Sequence, residues 1–142
     1  MNVKNYLLKY KRCLIRAERY KERIAQIETI LKGVNLDGMP KGYNLSDPTK
    51  TAALNLMILK EEYQLSLIEA ERIAGEIVKN IEKMKNPQFG ELLYSRYILL
   101  LSWNDVSERL RRSRIGKDYD IKYVLGEMHK RALKAFAEVL DE

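Results

Sequence analysis

The regular spacing of apolar residues near the start of the chain is the strongest constraint on its fold. From residue 3 to residue 31, apolar side chains return at alternating steps of three and four residues. This spacing is typical of the buried seam of a long helix in a coiled coil or a two-helix hairpin. It predicts a first helix over about residues 2–32. The seam residues are Val3, Tyr6, Tyr10, Cys13, Ala17, Tyr20, Ile24, Ile27 and Leu31.

A second segment with the same spacing follows a connection rich in glycine. Gly33 suits the left-handed position after a helix end, and the predicted loop, residues 33–47, contains three glycines and one proline. Asp47 and Pro48 then form a cap and a first helical position. The second helix, about residues 48–85, carries an apolar face at Leu56, Leu59, Tyr63, Leu67, Ala70, Ile73, Ile77, Ile81 and Met84. We therefore predict an antiparallel helical hairpin as a first domain, residues 1–86.

The remaining residues, 87–142, contain three shorter amphipathic segments and form the second predicted domain. Asn86 and Pro87 repeat the cap-and-proline signal and open a helix that runs to about residue 100. Ser102 caps the next helix through a Ser-x-x-Asp box, and Asp120 caps the last one. No segment has strand periodicity, so we predict an all-α chain in which the hairpin precedes a three-helix helix-turn-helix unit. The inward face of the last helix is predicted at Ile121, Leu125, Met128, Ala132, Phe136 (or Ala135) and Val139.

The charge of the chain points to a polyanionic partner. The formal net charge is +6. Nine basic residues lie between Arg109 and Lys134, against three acidic ones. Basic patches of this kind attract nucleic acid, although basic residues on a helix also commonly form its solvated side. A second basic stripe follows one face of the first helix at Arg12, Arg16, Arg19 and Arg23.

Three ordered stretches resemble a family of phage-encoded transcriptional regulators, the RinA/ArpU type. They are Leu-Leu-Leu-Ser-Trp-Asn-Asp-Val-Ser-Glu-Arg-Leu at 99–110, Met-His-Lys-Arg-Ala-Leu-Lys-Ala-Phe at 128–136, and Asp-Gly-Met-Pro-Lys-Gly at 37–42 with Ser-Asp at 46–47. The C-terminal helix-turn-helix of these regulators is similar to the sigma-factor domain that reads the upstream promoter element. The resemblance implies a sequence-specific DNA-binding regulator of late phage or prophage genes.

The candidate DNA-binding residues lie in the last helix and in the connection before it. That connection is longer than in the family pattern, and its additional residues are largely basic. In a helix-turn-helix, the last helix enters the major groove while flanking Arg and Lys neutralise phosphates. Gly126 either lets the backbone approach DNA closely or serves helix–helix packing. The candidates are Arg111, Arg112, Arg114, Lys117, Lys122, Tyr123, Gly126 and Lys130.

No catalytic or metal-binding motif is found in the sequence. Gly116-Lys117 lacks the upstream glycine of a phosphate-binding loop. His129 has no Cys or His partner at ligand spacing and is interpreted as a surface or helix-end residue, whereas Trp103 is interpreted as core. Cys13, the single cysteine, is interpreted as a packed thiol of a reduced, cytoplasmic protein. We expect no enzyme activity, no cofactor, no metal and no membrane span.

Two further functions fit the same sequence. One is a helical scaffold whose hairpin binds a partner helix, and the other is a small terminase-like subunit that binds DNA for packaging. The expected partners are double-stranded DNA, RNA polymerase and a second copy of the chain. The seam of the first helix includes three tyrosines, and a lone hairpin leaves an apolar flank that a second copy would cover. The hairpin is therefore the predicted site of a homodimer.

Overall fold

The computed structural model describes residues 2–33, 47–112 and 121–141. Within these ranges every regular element is a helix, so the predicted all-α class is confirmed. Residues 34–46 of the predicted loop 33–47, with its Asp-Gly-Met-Pro-Lys-Gly stretch, and the predicted cap Asp120 lie outside the described residues. The predicted left-handed position of Gly33 after the helix end is wrong, because Gly33 is the last residue of the first helix and its φ is not in the left-handed region. The helices are α1 (Val3–Gly33), α2 (Asp47–Glu82), α3 (Pro87–Leu93 with the π-helical turn Tyr94–Ile98), α4 (Trp103–Arg112) and α5 (Ile121–Tyr123, the π-helical turn Val124–Met128 and His129–Leu140).

The predicted ends of two helices lie too far along the chain. The second helix ends at Glu82 rather than residue 85, because the next two amides bond three residues back: Lys83 N donates to Asn80 O over 3.2 Å, and Met84 N donates to Ile81 O over 3.0 Å. The ring of a proline clashes with a helical conformation of the residue before it. Asn86, which precedes Pro87, is accordingly extended, with φ −95° and ψ 108°. The helix therefore ends before the proline. Likewise, α3 ends at Ile98 rather than residue 100.

The predicted caps of α3 and α4 are confirmed. The side chain of Asn86 accepts hydrogen bonds from the backbone N–H groups of Gln88, over 2.9 Å, and Phe89, over 3.4 Å. Ser102 Oγ accepts one from the N–H of Asp105 over 3.2 Å. These side chains satisfy amides in the first turns, which have no carbonyl partner inside the helix.

The connection between α3 and α4 turns at a leucine in the left-handed region. Leu100 has φ 57°, a conformation that costs an L-residue about 1–2 kcal/mol. The next residue compensates, because Leu101 N donates over 3.1 Å to Ser95 O, six residues back, and so satisfies a carbonyl at the end of α3. Arg96 Nη1 donates to Leu101 O over 2.8 Å and holds the same turn.

The described residues form two compact units. Unit 1 consists of Met1–Arg12 and Ala70–Glu142, and unit 2 consists of Cys13–Glu69. The ends of α1 and α2 that carry residues 3–12 and 70–82 belong to unit 1, together with α3, α4 and α5. Each unit is described by itself below.

Unit 1 has a closely packed core in which α5 lies against α3 and α4. Four α5 side chains, spaced by four residues, are at most 1% exposed, and Phe136 rather than Ala135 is the buried one of that predicted pair. Phe136 packs on Tyr6, with ring centroids 6.0 Å apart, and Tyr6 Oη accepts a hydrogen bond from Asn80 Nδ2 over 3.1 Å. The buried ridge of α5 is Val124, Met128, Ala132 and Phe136. The side chains predicted at Ile121 and Leu125 lie outside the described part.

Unit 2 is a pair of helical segments that run in opposite directions. Glu28 of α1 forms an ion pair with Lys60 of α2 over 3.4 Å. Earlier in α1, Ile24 shares a small surface pocket with Tyr63, which lies later in α2. Every predicted seam residue within unit 2 is buried or half-buried, on α1 as well as on α2, and Cys13 is half-buried. The seam positions predicted from the apolar spacing are therefore confirmed for this segment.

Candidate nucleic-acid interface

The outer surface of α5 follows from the way the helix is buried. Because its ridge at four-residue spacing faces α3 and α4, a residue two positions from a ridge residue lies on the opposite side of the helix. Lys122, Lys130 and Lys134 are exposed, and together with Gly126 they repeat every four residues. None of the three lysines forms an ion pair with a described residue, whereas Arg131 beside them is paired with Glu127 over 3.1 Å. The outer line of α5, defined by Lys122, Gly126, Lys130 and Lys134, is therefore positively charged.

Gly126 leaves an opening in this line. Apart from its chain neighbours and the backbone of its own helix, a Cβ built on Gly126 would meet no described atom within 4 Å. Among the described residues nothing packs on Gly126, so they give no support to the alternative of helix–helix packing there. Between two lysines, the bare backbone forms a place where another molecule can approach α5 closely.

The predicted arginines at the end of α4, unlike the lysines of α5, have an acidic partner among the described residues. Arg111 and Arg112 are exposed, and both reach the same carboxylate, Glu108, over 3.8 and 3.6 Å. Exposed ion pairs of this kind contribute about 0–1 kcal/mol, so a phosphate can replace the carboxylate at little cost. Of the other candidates, Tyr123 is 37% exposed, while Arg114 and Lys117 lie outside the described residues.

Beneath this surface, α3, α4 and α5 meet at His129. Its Nε2 is 2.7 Å from the hydroxyl oxygen of Tyr97, and the Trp103 ring meets the imidazole edge-on with centroids 4.7 Å apart. The interpretation of His129 as a surface or helix-end residue is therefore wrong, because only 9% of it is exposed. Trp103, interpreted from the sequence as core, is only half-buried and also lines a surface pocket of unit 1, because its indole packs on His129 at the edge of the core.

Burial and nearby cations keep this imidazole neutral. Burial is the main cause that lowers the pKa of His129 to about 4, and the positive charges of Lys4 and Arg96 add to it. Burial also raises the pKa of Tyr97 above its ordinary value, against the opposing effect of Arg96. The Tyr97–His129 pair is thus an uncharged hydrogen bond at neutral pH, which suits a structural role in the core.

The π-helical turns explain how this pair forms. Leu99 N donates to Tyr94 O, and His129 N reaches Val124 O, so each of two helices takes one wider turn. Tyr97 lies in the first of these turns and His129 follows the second. Each extra residue rotates the side chains that follow it relative to a regular helix. Apolar periodicity in the sequence carries no signal for such a shift.

Sequence reasoning also missed basic residues near the interface. Lys134 continues the four-residue spacing of the outer line of α5, a repeat that was visible in the sequence. Lys4, Lys11 and Arg96 line one pocket in unit 1 although they are distant along the chain. Lys4 and Lys11 lie seven residues apart and therefore on one face of α1. No local pattern connects them to Arg96.

Unit 2 presents a different surface. Five large apolar side chains of α2 point away from the seam with α1, and each is more than half exposed. Their positions span about 100° of the helix circumference, opposite the seam residues Leu59, Tyr63 and Leu67. This outer stripe of α2 consists of Leu54, Met57, Ile58, Leu65 and Ile68.

Comparisons with known protein families, with curated proteins and with solved structures found no match to this chain. None of the described helices combines the length and apolar character that crossing a membrane requires. Among the described residues, no three His, Cys, Asp or Glu side chains are grouped so that they could hold a metal ion.

Proposed function

We propose that this chain is a DNA-binding transcriptional regulator of phage or prophage genes, with α5 as the helix that enters the major groove. The observation that carries the proposal is the outer line of α5. It combines three exposed lysines that lack an acidic partner in the described structure with a glycine at which a Cβ would meet open space. Such a surface fits a polyanion that must come close to the helix backbone.

The proposed docking assigns different tasks to the basic residues. Lys122 and Tyr123, at the start of α5, reach base edges, because the N-terminal part of a recognition helix lies deepest in the groove. Lys130 and Lys134 contact phosphates, as do Arg111 and Arg112 after they exchange Glu108 for the DNA backbone. The packing of α5 on α3 and α4 holds the recognition helix rigidly, which supports sequence discrimination.

A salt titration tests this proposal. The variant Lys122→Gln with Lys130→Gln removes two charges from the outer line of α5, and Lys79→Gln with Lys83→Gln removes two exposed charges elsewhere in unit 1. Each lost phosphate contact lowers the dependence of duplex affinity on salt by about one unit of slope. We expect a reduction of about one for the α5 variant, from the phosphate contact of Lys130, and a negligible change for the control.

Two results would contradict the proposal. Equal losses in both variants would mean that only the overall charge matters. The absence of duplex binding by the parent protein would exclude a DNA-binding regulator and a packaging subunit alike. Selection of sites from a random duplex pool separates these two functions, because a regulator enriches a defined sequence whereas a packaging subunit without sequence preference does not.

A second candidate, a helical interaction protein, is favoured by the outer stripe of α2. Single exposed apolar residues are common, but five lie on one face of one helix, in two groups separated by the exposed Glu61. A second copy of this chain is the proposed occupant, since a two-fold interface places the same apolar stripe on both sides without a further molecule. Self-association through unit 2 is compatible with DNA binding by unit 1.

A further inference from the structure

A small pocket in unit 1 has an unbalanced charge. It encloses about 90 Å³ between the first turns of α1 and the end of α3 with the start of α4. Its charged lining residues, Lys4, Lys11 and Arg96, are all basic, and no carboxylate is among its described lining residues. None of these three cations forms an ion pair with another residue in the described part of the chain. Adjacent like charges repel one another and create a site that attracts an anion.

Arg96 is held in position without any ligand. Its guanidinium carbon lies 4.5 Å from the centroid of the Trp103 ring, and Nη1 donates to Leu101 O over 2.8 Å. A guanidinium has five N–H donors in a planar fork, so this one hydrogen bond leaves most of them for a ligand. A fixed fork of this kind matches paired phosphate oxygens.

The two lysines approach the same pocket from one helix. Lys4 and Lys11 are separated by two helical turns, and Leu8 lines the pocket between them. Both lysines are exposed, so their ammonium groups can move to meet an oxygen. The pocket therefore combines Arg96, which is held in place, with two lysines whose side chains can change conformation.

The residue beneath the pocket responds to the same positive potential. Burial first, then Lys4 and Arg96, lower the pKa of His129 to about 4. Two of the three pocket cations thus act on a side chain that does not itself line the pocket. The positive charge of this pocket therefore changes the pKa of a buried side chain of unit 1.

We propose that the pocket of Lys4, Lys11 and Arg96 binds a phosphate group. Its volume is far below the roughly 300–1,000 Å³ of pockets for drug-sized ligands, so it accepts the anionic group and not the rest of a nucleotide. The group belongs either to a nucleic-acid backbone or to a small phosphorylated molecule. The pocket requires no contact between α5 and DNA, so this inference goes beyond the proposed function.

The chain contains its own reporters for a test. Trp103 is the single tryptophan and lines the pocket, and His129 is the single histidine. Inorganic phosphate is titrated into the full chain at constant ionic strength, while tryptophan fluorescence and the imidazole NMR signals are recorded. We expect a saturable change at Trp103. The pKa of His129 should rise on binding, because the anion offsets the field of Lys4 and Arg96.

Paired variants locate the binding. Lys4→Gln with Lys11→Gln leaves Arg96 and its contacts in place, and Lys32→Gln with Lys79→Gln removes the same charge outside the pocket. Hydrogen bonds to charged groups are among the stronger ones, so the loss of two ammonium groups should weaken phosphate binding by at least about tenfold. The control should remain within about twofold. An unsaturable response, no response, or equal losses in both variants would overturn the proposal.

A random DNA duplex then identifies the source of the phosphate. Weaker duplex binding by the pocket variant than by the control assigns the site to a backbone phosphate. Unchanged duplex binding, with phosphate binding lost, assigns it to a small phosphorylated molecule, and both outcomes support the site. A chain that binds phosphate in the pocket but no duplex contradicts the proposed regulator and leaves the phosphate site standing.

Discussion

Unit 1 and unit 2 contain helices with the same spacing of apolar residues, yet the two units bury their apolar side chains to different degrees. In unit 1, side chains from all five helices are completely buried, among them Leu92, Leu110 and Phe136. In unit 2, Ala17 and Ile27 are the buried hydrophobic residues of the described part. The outer stripe of α2 is meanwhile more than half exposed.

This difference in burial follows from the number of helices that pack together in each unit. A pair of helices covers one stripe on each partner and leaves the opposite sides in water. Unit 1 brings α3, α4 and α5 together, so each helix is covered from more than one direction. Its outer surface can then consist of charged residues, the kind of surface that the proposed function requires. An apolar outer stripe, as in unit 2, gains stability when another molecule covers it.

The largest expected effect is the loss of a core side chain of unit 1. Phe136 is fully buried and packs on Tyr6, so Phe136→Ala should lower the free energy of unfolding by about 3–5 kcal/mol. Ile58, on the outer stripe of α2, is 53% exposed, and Ile58→Ala should change that free energy by less than about 0.5 kcal/mol. Denaturant unfolding measures both. A loss of several kcal/mol from Ile58→Ala, at a protein concentration too low for self-association, would show that the stripe is covered within the chain and would break the comparison.

The second effect concerns the pH dependence of unit 1. The pKa of His129 is about 4 in the folded chain, against an ordinary value of 6.5. As the pH falls from 6.5 to 4, the unfolded chain takes up this proton first, so the free energy of unfolding decreases over that range. Above pH 6.5 the contribution is complete. We expect a decrease of about 1–3 kcal/mol from this residue.

A variant separates His129 from the carboxylates that also titrate near pH 4. His129→Asn cannot take up this proton, so its free energy of unfolding should vary less between pH 7 and pH 5 than that of the parent. Thermal or denaturant unfolding at several pH values gives both slopes. Identical slopes would mean that the imidazole is accessible to water in unit 1.

The third effect is on self-association through unit 2. Replacing Ile58 and Leu65 with asparagine makes the outer stripe of α2 polar, and we expect the dimer dissociation constant to rise by at least about tenfold. Leu99→Asn changes an apolar residue of unit 1 that is 39% exposed and should have little effect. Sedimentation at about ten to one hundred micromolar, a range that detects interfaces of micromolar affinity, checks both variants. A monomeric parent protein under these conditions contradicts the interface.

Much of the fold follows from local patterns in the sequence. The seams of α1 and α2 lie where the three–four spacing predicts, because that spacing keeps residues on one side of a helix. Asn86 and Ser102 form their predicted hydrogen bonds, because capping involves only the next two or three residues. These features depend on short stretches of chain, which the sequence represents directly.

Contacts between distant residues could not be predicted in this way. Tyr97 and His129 are 32 residues apart, and their hydrogen bond depends on two π-helical turns without a recognisable residue pattern. The outer line of α5 was found in part, since Lys122, Gly126 and Lys130 were candidates. The pocket was missed because Lys4 and Arg96 meet only through the packing of α1 on the later helices of unit 1.

The smallest expected effect separates the stability of α5 from its proposed function. A Cβ on Gly126 would meet no described atom within 4 Å, so Gly126→Ala introduces no clash. Alanine is favoured over glycine within a helix by about 0.5–1 kcal/mol, and the variant should be more stable by up to that amount. The added methyl group nevertheless lies between Lys122 and Lys130. If DNA approaches the backbone there, duplex binding should become weaker although the protein becomes more stable.

Gly75 supplies a matched control for this prediction. It lies within α2 in unit 1, and a Cβ there would likewise meet nothing within 4 Å. Gly75→Ala should therefore stabilise the protein by a similar amount and leave duplex affinity unchanged. Denaturant unfolding and a duplex titration at fixed salt measure the two quantities for both variants. If Gly126→Ala also leaves affinity unchanged, the DNA does not approach α5 at Gly126, and the groove-facing side of the helix must be sought elsewhere on unit 1.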